Sequence, residues 1–321
     1  MLTNSDPPFS LNTLIMTLSQ LQIFAAITRH GGIRAAAREL SMTQSGVTQQ
    51  LQKLEASIGV PLFTRTNRGV VPTDAGTRLT MRAGVIVAEL ERAQAEMRQM
   101  RGEFDGTIVL GMSAETLIVA FAQVLGDFHQ RYPRVQVHLM TGTSRAMIGW
   151  IRDGTLDFAC ALVSSATDVA GLSLTPLFRS EVVVVCRTGH PLQHAGSVRE
   201  LAETQWIGTR QPNLKSAPTS RLTDLFTQAG LGLPEVVAST ESLFDSLHLV
   251  ANTDYLALEP RAVITHPFFK HALSRIAIKE TADSGEICLV QRGGSELTPV
   301  VQEFSSMLVS YTRLTKQATQ S

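Results

Sequence analysis

The chain contains little cysteine, few aromatic residues and little charge. Of its 321 residues, 6% are aromatic and 17% are charged, and the formal net charge is zero. The three cysteines, Cys160, Cys186 and Cys288, are far apart and lie in apolar, strand-like runs. An odd number at such spacing excludes a disulfide framework and a metal motif, and it indicates buried free thiols in a reducing cytoplasm.

Targeting and membrane signals are also missing. The opening stretch MLTNSDPPFSLNTLIMTLSQLQIF has no basic start, no long apolar core and no small-residue cleavage site. It therefore predicts neither a signal peptide nor a membrane span, and the expected location is the cytoplasm. We expect residues 1–16 to be a disordered tail, with an over-long start-codon assignment for residues 1–15 as the open alternative.

Motifs for catalysis or cofactor binding are absent as well. The sequence has no G-x-S-x-G, no glycine-rich phosphate loop, no H-E-x-x-H and no C-x-x-C pair, and its eight histidines are scattered. A secreted solute-binding protein would need an export signal. We therefore predict no catalytic residues, no cofactor, no metal and no enzyme activity.

The charge that is present is unevenly distributed. Between residues 17 and 70, six basic residues outnumber two acidic ones, whereas residues 105–321 hold 17 basic and 20 acidic residues. With 44% hydrophobic residues and this length, the chain can form two or three domains with buried cores. The sign of the asymmetry favours a phosphate-facing head on a near-neutral body.

Three short helices are predicted in the basic head. The stretch LSQLQIFAAITRHGG has helical spacing and ends at a pair of glycines, and IRAAAREL forms a second helix of about two turns. After the turn SMT, Thr43 can cap a third helix, in which apolar residues recur every three or four positions from Val47 to Ile58. The stretch VPLFTRTNRGVVPT then predicts two short strands in a small hairpin.

Two helices joined by a tight turn, the second of them amphipathic, are typical of a helix-turn-helix. The outward edge of the third helix is rich in glutamine and hydroxyl side chains, which can pair with base edges in a major groove. Arginines of the hairpin are candidate phosphate or minor-groove contacts. A polar, solvated helix in a small bundle is the alternative interpretation. The predicted DNA-contacting residues are Arg34, Thr43, Gln44, Ser45, Thr48, Gln49, Lys53, Arg65, Arg68 and Thr73.

A long helix is predicted after the hairpin. No proline interrupts residues 74–104, and Thr73 or Asp74 can cap the start. Apolar residues recur alternately four and three positions apart, which is the heptad pattern of a dimerising seam. A helix from a second chain is the expected cover, and packing on the chain's own body is the alternative. The seam consists of Leu79, Ala83, Ile86, Leu90, Ala93, Met97 and Met100.

From residue 106 onward, strand-like and helical stretches alternate. The strand-like runs are TIVLGM, VQVHLM, DFACAL, EVVVVC, PEVVAST, DYLALE and EICLVQR. The alternation predicts an α/β fold of open, mainly parallel sheets, and the length predicts two subdomains. Ligands in such sheets lie beyond the carboxyl ends of strands or between lobes. The predicted helices are residues 117–132, 144–153, 219–229, 242–251, 261–272 and 299–315.

The N-terminal stretch FAAITRHGGIRAAARELSMTQSGVTQQLQKLEASIGVPLFTRTNRGVVPTDAG resembles the winged helix-turn-helix of LysR-type transcriptional regulators. Two positions depart from that family: Ser45 stands where it often has proline, and Gln49 where it often has arginine. The second departure leaves more of the phosphate contact to the remaining basic residues of the head. The matching positions are Phe24, Ala36-Ala37, Leu40, Gln44, Leu54-Glu55, Gly59, Leu62-Phe63, Arg65, Thr73 and Ala75-Gly76.

The resemblance implies a layout for about residues 17–315. A winged helix-turn-helix at 17–73 would precede a linker and dimerisation helix at 74–104. An effector-binding domain at 105–321 would resemble type 2 periplasmic binding proteins, with two α/β subdomains. The two lobes would be about 107–177 with 285–315, and about 178–284.

The resemblance also implies a small-molecule effector in the cleft between the lobes, at strand-to-helix turns. Helix N-termini carry free N–H groups and positive dipole ends, which suit a carboxylate or sulfonate. Arg145 and Arg210 are candidate anion-binding residues. The segment GGIRAAAREL resembles sequences of a subgroup that senses aromatic or other organic acids. For each hydroxyl, a helix N-cap without a ligand is the alternative. The implied effector-binding residues are Ser113, Ala114, Glu115, Thr141, Gly142, Thr143, Ser144, Arg145, Gly208, Thr209, Arg210, Thr240 and Ser242.

These features predict a sequence-specific DNA-binding transcriptional regulator controlled by a small organic ligand. The expected partners are double-stranded DNA with a dyad-symmetric site, an organic ligand such as an anion, and further copies of the chain in a dimer or tetramer. RNA polymerase is a further candidate partner, and no membrane is expected. A cytosolic small-molecule-binding protein of the same effector fold, without a DNA role, is the alternative.

Overall fold

The computed structural model describes residues 16–66, 69–164, 167–208, 221–282 and 285–320, and of residues 316–320 it describes the backbone alone. Residues 1–15 of the predicted tail at 1–16 lie outside this range, whereas Met16 packs against the apolar cluster of the head. The chain divides into two compact units. One holds the residues up to Arg101 together with Arg152–Thr155, and the other holds Gly102–Ile151 and the residues from Leu156 onward.

The first unit contains the predicted helical head, its hairpin and the long helix. Thr17 caps the first helix with its side chain and Thr43 caps the third, while Gly31 and Gly59 end these helices in the left-handed conformation that glycine adopts without strain. The sequence predictions for these elements are confirmed. They are α1 (Leu18–His30), α2 (Ile33–Glu39), α3 (Gln44–Ile58), β1 (Phe63–Thr66), β2 (Gly69–Pro72) and α4 (Asp74–Met100).

The core of the first unit lies between α1, α3 and the start of α4. Val47 and Leu51 of α3 pack against the small side chains of α2 and against α1, and Leu54 packs with Phe24 of α1. Small residues at Ala36 and Ala37 allow the two helices of the turn to approach closely. One face of α3 is therefore buried and the opposite edge is left to solvent.

The apolar seam of α4 divides into two parts. Ala83 and its neighbour Val87 are buried against α1 and Leu62 of the same head, so the chain itself supplies the cover that a partner was expected to supply there. Ile86, between these two residues, is 45% exposed, and farther along the helix Met97 and Met100 are 52% and 76% exposed. At the C-terminal end of the seam, the described residues thus leave more than half of Met97 and Met100 exposed.

The second unit is built from two five-stranded sheets, each with helices on both faces. The chain enters the first sheet, leaves after its fourth strand to form the second sheet, and returns to complete the first. Its elements are β3 (Gly106–Met112), α5 (Ala114–Thr116), a π-turn (Leu117–Phe121), α6 (Ala122–Arg131), β4 (Val135–Met140), α7 (Ser144–Arg152), β5 (Phe158–Val163), β6 (Leu172–Arg179), β7 (Val182–Arg187), a 3-10 helix (Val198–Leu201), β8 (Gln205–Gly208), α8 (Arg221–Gln228), β9 (Glu235–Ser239), α9 (Leu243–Asn252), β10 (Leu256–Pro260), α10 (Ala262–Thr265), β11 (Leu273–Ile276), β12 (Glu286–Arg292) and α11 (Pro299–Gln320).

The strand orders are β4-β3-β5-β12-β6 in the first sheet and β11-β7-β10-β8-β9 in the second. The prediction of mainly parallel sheets is wrong, because each sheet contains two parallel and two antiparallel pairings. The antiparallel pairings in the first sheet involve β12, which returns from the second sheet and therefore runs against its neighbours. They do not arise from the strand–helix–strand repeats that the sequence pattern displays.

Several element predictions also need correction. The helix predicted for residues 261–272 is limited to Ala262–Thr265, because Pro267 disfavours a helical conformation at His266, which is extended. The strands β6, β8 and β11 were not predicted. Their runs are short or contain Pro176 and Arg275, which conceal an apolar pattern.

Each sheet buries apolar side chains on both faces. In the first lobe, Phe128, Phe158 and Phe304 lie between the sheet and the helices α6 and α11, and Met147 and Ile151 of α7 cover the other face. In the second lobe, Trp206 and Phe226 are in edge-to-face contact, with ring centroids 5.6 Å apart, in the cluster on the α8 side. This architecture confirms the predicted α/β region with two subdomains.

The three cysteines are buried free thiols, as predicted. Burial raises the pKa of the Cys186 thiol to about 11, despite the nearby charge of Arg187, and it raises the pKa of Cys160 as well. In the part of the chain that the structure describes, no helix has the length and apolarity needed to cross a membrane.

A close backbone approach at the start of α4 generates a stability prediction. A Cβ added at Gly76 would lie 2.1 Å from the carbonyl oxygen of Leu62, whereas a Cβ added at Gly126, in the middle of α6, would meet no atom within 4 Å. We expect Gly76→Ala to lower the thermal unfolding midpoint, by overpacking of about 1–3 kcal/mol or more. We expect Gly126→Ala to leave the midpoint unchanged or to raise it through helix propensity of about 0.5–1 kcal/mol.

Thermal unfolding followed by circular dichroism compares the two variants with the unmodified chain. Equal midpoints for both variants would show that the junction between the hairpin and α4 rearranges to accept the added Cβ without a loss of stability.

Candidate nucleic-acid interface and ligand cleft

The outward edge of α3 carries polar side chains that the head leaves unused. Gln44, Gln49 and Lys53 are exposed, and their side chains make no hydrogen bond or ion pair with another residue that the structure describes. Val47 and Leu54 anchor the opposite face in the core, so the amides are held in fixed positions on the surface. Paired donor and acceptor groups on one helix edge are the chemistry that reads adenine in a major groove.

The hydroxyl groups of the predicted interface have partners within the helix. The Thr43 Oγ1 accepts a hydrogen bond from the Gly46 N–H at 3.1 Å and lies 3.2 Å from the Ser45 hydroxyl. The Thr48 hydroxyl donates to the Gln44 carbonyl at 2.9 Å. Thr43 therefore organises the N-terminal end of α3, which carries the positive end of the helix dipole.

The predicted cationic contacts lie on three different elements. Arg34 on α2, Lys53 on α3 and Arg65 on β1 are all exposed, whereas Arg68 lies outside the described residues. The nearby Arg29 and His30 have a different role, because both pair with Glu39 and thereby tie α1 to α2. Thr73 is engaged structurally as well: its hydroxyl donates to the Pro61 carbonyl at 2.7 Å and accepts from the Gly76 N–H.

A carboxylate connects α3 to the hairpin. The Glu55 Oε1 accepts hydrogen bonds from the backbone N–H groups of Leu62 at 2.7 Å and Phe63 at 3.2 Å. The Val70 N–H donates to the carbonyl of Gly31 at 3.3 Å, which places the other strand of the hairpin against the end of α1. The hairpin is therefore fixed relative to the polar edge of α3. Glu55 was predicted as a family position, and this connecting role was not predicted from the sequence.

In the second unit, the parallel strands bring the predicted effector turns to matching sheet edges. The carboxyl ends of β3 and β4 share one edge of the first sheet, and those of β8 and β9 share one edge of the second. In the sequence, a hydroxyl residue follows each of these four ends: Ser113, Thr141, Thr209 and Thr240. The turns are thus brought together within each lobe, as expected from the parallel pairing.

The hydroxyls of the first-lobe turns act largely as helix caps. Ser113 Oγ accepts from the Thr116 N–H and lies 2.8 Å from the Thr116 hydroxyl, which is fully buried. Thr143 Oγ1 accepts from the Ala146 N–H at the start of α7, and Ser144 Oγ accepts from the Leu162 N–H. Thr141 and Arg145 remain exposed, and their side chains make no hydrogen bond or ion pair with any described residue.

The remaining first-lobe positions are backbone sites. Ala114 is the first residue of α5, and Gly142 is exposed, with no room for a Cβ because Trp150 would lie 2.8 Å away. A side chain at residue 142 would therefore displace the Trp150 ring.

The second-lobe turns show the same arrangement. The Gly208 carbonyl accepts from the Thr240 N–H at 2.9 Å, and Thr240 Oγ1 accepts from the Ser242 N–H at 3.0 Å. Ser242 caps α9 through the Asp245 N–H. Thr209 and Arg210 lie outside the described residues.

Glu115 connects the two lobes. Its carboxyl is buried and accepts a hydrogen bond from Ser180, at the crossing from β6 to β7, and it feels the charge of Arg221 at the start of α8. Burial raises the pKa of Glu115 above its ordinary value, and the Ser180 hydrogen bond and Arg221 oppose that rise. Ile118 of the adjoining π-turn packs into the apolar cluster of the second lobe. This turn is therefore a contact between lobes as well as a candidate ligand contact.

Two further polar sites were missed in the sequence. Ser164 follows β5, the third parallel strand of the first sheet, and is hydrogen-bonded to Thr167. Glu259 lies at the carboxyl end of β10, buried to 5% exposure, and accepts a hydrogen bond from the Ser246 hydroxyl of α9. Burial raises the pKa of Glu259 to about 7, although the Ser246 hydrogen bond acts in the opposite direction. The single carboxylate within the apolar run YLALEP was the available signal.

Within the described ranges, no group of three or more His, Cys, Asp or Glu residues could hold a metal ion.

Comparison with known families matches both parts of the chain. Residues 18–77 match the family described as bacterial regulatory helix-turn-helix protein, lysR family. Residues 101–313 match the family described as LysR substrate binding domain.

Among similar proteins is the HTH-type transcriptional regulator TdcA of Escherichia coli, 27% identical over 304 residues that cover 92% of this chain and 96% of TdcA. The HTH-type transcriptional regulator GbpR of Azospirillum brasilense is 29% identical over 251 residues, which cover 77% of this chain and 72% of GbpR.

Solved structures share the fold. CbnR, a LysR family transcriptional regulator, superposes with a TM-score of 0.64 at 18% identity, covering 92% of this chain and 99% of CbnR. Full-length CbnR in complex with its target DNA superposes with a TM-score of 0.61 at 19% identity, covering 92% of this chain and all of CbnR. At these sequence identities, the structural similarity shows that this chain and CbnR share a fold, and it shows no more than that.

The buried carboxyl of Glu259 predicts a pH dependence of stability. The folded-state pKa of about 7 lies above the ordinary value of 4.5, so the folded protein retains a proton that the unfolded chain releases in this interval. The protonated Glu259 carboxyl makes its full contribution to the free energy of unfolding below about pH 4.5. This contribution is lost as the pH rises through about 7, which lowers the free energy of unfolding by roughly 3 kcal/mol at most. Glu259→Gln, which is neutral throughout, should therefore be less destabilised than the unmodified chain between pH 5 and pH 8.

Thermal midpoints at several pH values within this interval measure the difference. Glu296→Gln, at an exposed position, is the matched control and should follow the unmodified chain. A constant gap between Glu259→Gln and the unmodified chain at every pH would contradict the assignment.

Proposed function

The chain belongs to the LysR family of DNA-binding transcriptional regulators, and we propose that its head reads a dyad-symmetric DNA site under the control of a small organic ligand. The relatives it matches are transcriptional regulators, and we propose no catalytic role for this chain. We place its action in the cytoplasm, where its DNA target would be accessible.

The observation that carries this proposal is the unused amide edge of α3. Gln44 and Gln49 are exposed on a helix whose opposite face is anchored in the core, and neither amide has a partner among the described residues. Two amides held on one rigid edge can read base edges without first breaking internal hydrogen bonds. The N-terminal end of α3, capped by Thr43, would enter the major groove first.

The phosphate contacts would surround this edge. Arg34 precedes it on α2, Lys53 follows it on α3, and Arg65 lies on the hairpin that Glu55 fixes relative to α3. Cations on three elements can grip the backbone on both sides of a groove and set the register of the amides. Arg68 and Thr73 remain candidate contacts, Thr73 through its backbone because its hydroxyl is engaged.

We propose that two chains pair through the C-terminal part of the α4 seam. Met97 and Met100 are more than half exposed on an amphipathic helix, which is the pattern that a partner helix covers in a coiled coil. A two-fold pair would present two α3 helices to the two halves of a dyad-symmetric site. A tetramer would be a pair of such dimers, and RNA polymerase is the partner through which binding would alter transcription.

The ligand would bind at the edges where the strand-to-helix turns of both lobes meet. Thr141 and Arg145 are exposed beside the cap of α7, and Ser242 caps α9 in the other lobe. Arg145 and the helix N-termini favour a carboxylate, so we propose an organic acid, of aromatic or aliphatic type. Glu115 does not disfavour an acidic ligand, because its carboxyl already accepts a hydrogen bond from Ser180 and lies in the field of the Arg221 charge.

The ligand would act by favouring one arrangement of the lobes. Glu115 and Ile118 contact the second lobe from the turn that follows β3, so a ligand at that turn changes the same contacts that hold the lobes together. A ligand shifts an equilibrium by its difference in affinity for the two arrangements. The shift would alter the placement of the paired heads and hence the bending of the DNA.

Substitutions on the DNA face should separate sequence reading from phosphate binding. Gln49→Ala should reduce the preference for the best base at one position by about 1–3 kcal/mol, because a bidentate amide contact is lost. Arg65→Ala should weaken binding to all sequences alike and reduce the slope of log affinity against log salt by about one. Binding to a library of single-base variants of the upstream region, at several salt concentrations, measures both effects.

Arg134→Ala, an exposed arginine of the second unit, is the matched control and should change neither quantity. Equal specificity profiles for Gln49→Ala and Arg65→Ala would refute the division of roles. If upstream DNA is bound no better than random DNA, the chain is a ligand-binding protein without a DNA role.

A charge placed in the exposed seam should separate the pair. Met97→Asp would bury an aspartate at the proposed helix contact, so we expect a shift toward the monomer mass at micromolar concentration. Sedimentation equilibrium measures the mass, and Gln94→Asp, exposed on the same helix but outside the seam, is the control. An unchanged mass for Met97→Asp would place the dimer contact elsewhere.

A further inference from the structure

A cavity of about 390 Å³ opens beside the two chain segments that connect the lobes. One wall is formed by Arg179 and residues 181–184, where the chain leaves the first sheet, and another by residues 275–278 and 280–282, where it begins its return. None of the effector-binding residues implied by the family resemblance lines this cavity. Its volume lies in the range of about 300–1,000 Å³ that is typical of small-molecule sites.

The floor of the cavity is apolar. Six side chains of the second lobe contribute to it, mostly from the cluster on the α8 side of the sheet. They leave an unfilled space next to a core that is otherwise closely packed, so an apolar ligand body would gain contact area there. These residues are Val182, Val184, Leu225, Leu258, Ile276 and Ile278.

The charged lining has more cations than anions. Three arginines, Arg179, Arg261 and Arg275, line the cavity together with two glutamates, Glu181 and Glu280. No other Lys, Arg, Asp or Glu is among the lining residues that the structure describes, so the lining carries an excess of one positive charge.

Both glutamates already have partners. Glu181 Oε2 pairs with the Arg261 guanidinium at 3.0 Å. Glu280 accepts from the Ser197 hydroxyl at 2.6 Å and from the Val198 N–H at 2.9 Å, which directs its carboxylate to the 3-10 helix. The Arg275 guanidinium, in contrast, makes no hydrogen bond or ion pair with any other described residue. The lining therefore has unused capacity for an anion.

From this juxtaposition we infer a second ligand site, which takes a small organic monoanion with an apolar body. The body occupies the apolar floor and the carboxylate or sulfonate binds at the arginine-lined wall, with Arg275 as the main cation. The site is separate from the proposed effector cleft. Because its walls are the two connecting segments, an occupant would stabilise one relative position of the lobes and give the regulator a second chemical input.

Two fluorescent probes that differ mainly in charge test the site in the full-length chain. They are 8-anilinonaphthalene-1-sulfonate, an apolar monoanion, and N-phenyl-1-naphthylamine, its neutral counterpart. We expect Arg275→Ala to weaken binding of the sulfonate about tenfold and of the neutral probe less than about twofold, since one charge-assisted contact is lost. Arg275→Lys should recover most of the sulfonate affinity.

A blocking variant locates the site. Ala277 lines the cavity and is exposed, so Ala277→Trp can fill the space without disturbing the core, and it should remove the saturable binding of both probes. Ala272→Trp, exposed at the other end of β11, is the matched control and should bind as the unmodified chain does.

Three results would overturn the inference. The first is the absence of saturable sulfonate binding to the unmodified chain. The second is an unaltered titration for Ala277→Trp, which would place the probe elsewhere. The third is an equal loss of affinity for both probes in Arg275→Ala, which would show that Arg275 does not favour the anion.

Discussion

Burial of one apolar stripe on α3 is the constraint on which the head depends. Val47, Leu51 and Leu54 can reach the core only in one rotational setting of the helix, and that setting leaves Gln44 and Gln49 on the outside. The caps at Thr43 and Gly59 then define where the helix begins and ends. The polar edge is thus positioned by packing that involves none of its own side chains, which leaves its amides free for a partner.

The same stripe explains why the head could be predicted in detail from its sequence. Its helices carry caps, glycine ends and a clear 3.6-residue period, and all of these are local signals. The two sheets were harder to predict. The apolar runs of β3, β4 and β12 were recognisable, whereas β6 and β11, with Pro176 and Arg275, become strands through pairing with partners distant in sequence. The antiparallel pairings have no local signal of any kind.

The ligand region shows a similar division. Turns at strand ends could be predicted, because hydroxyl residues after apolar runs are visible in the sequence. The bond from Ser180 to Glu115 and the burial of Glu259 against Ser246 could not, since each depends on which elements the topology places together. Several predicted hydroxyls proved to be helix caps, and this engagement orients the turns rather than removing them from consideration as ligand contacts.

The order of strands in the first sheet has a consequence for how the protein is made. Among the strands that the structure describes, β6 pairs only with β12, and β12 is synthesised after the whole of the second lobe. The second lobe is a continuous segment and can therefore close while the chain is still on the ribosome. Until the C-terminal segment emerges, β5 has one unpaired edge and β6 has no strand partner in this sheet. During that interval these open strand edges are exposed to chaperones and to aggregation.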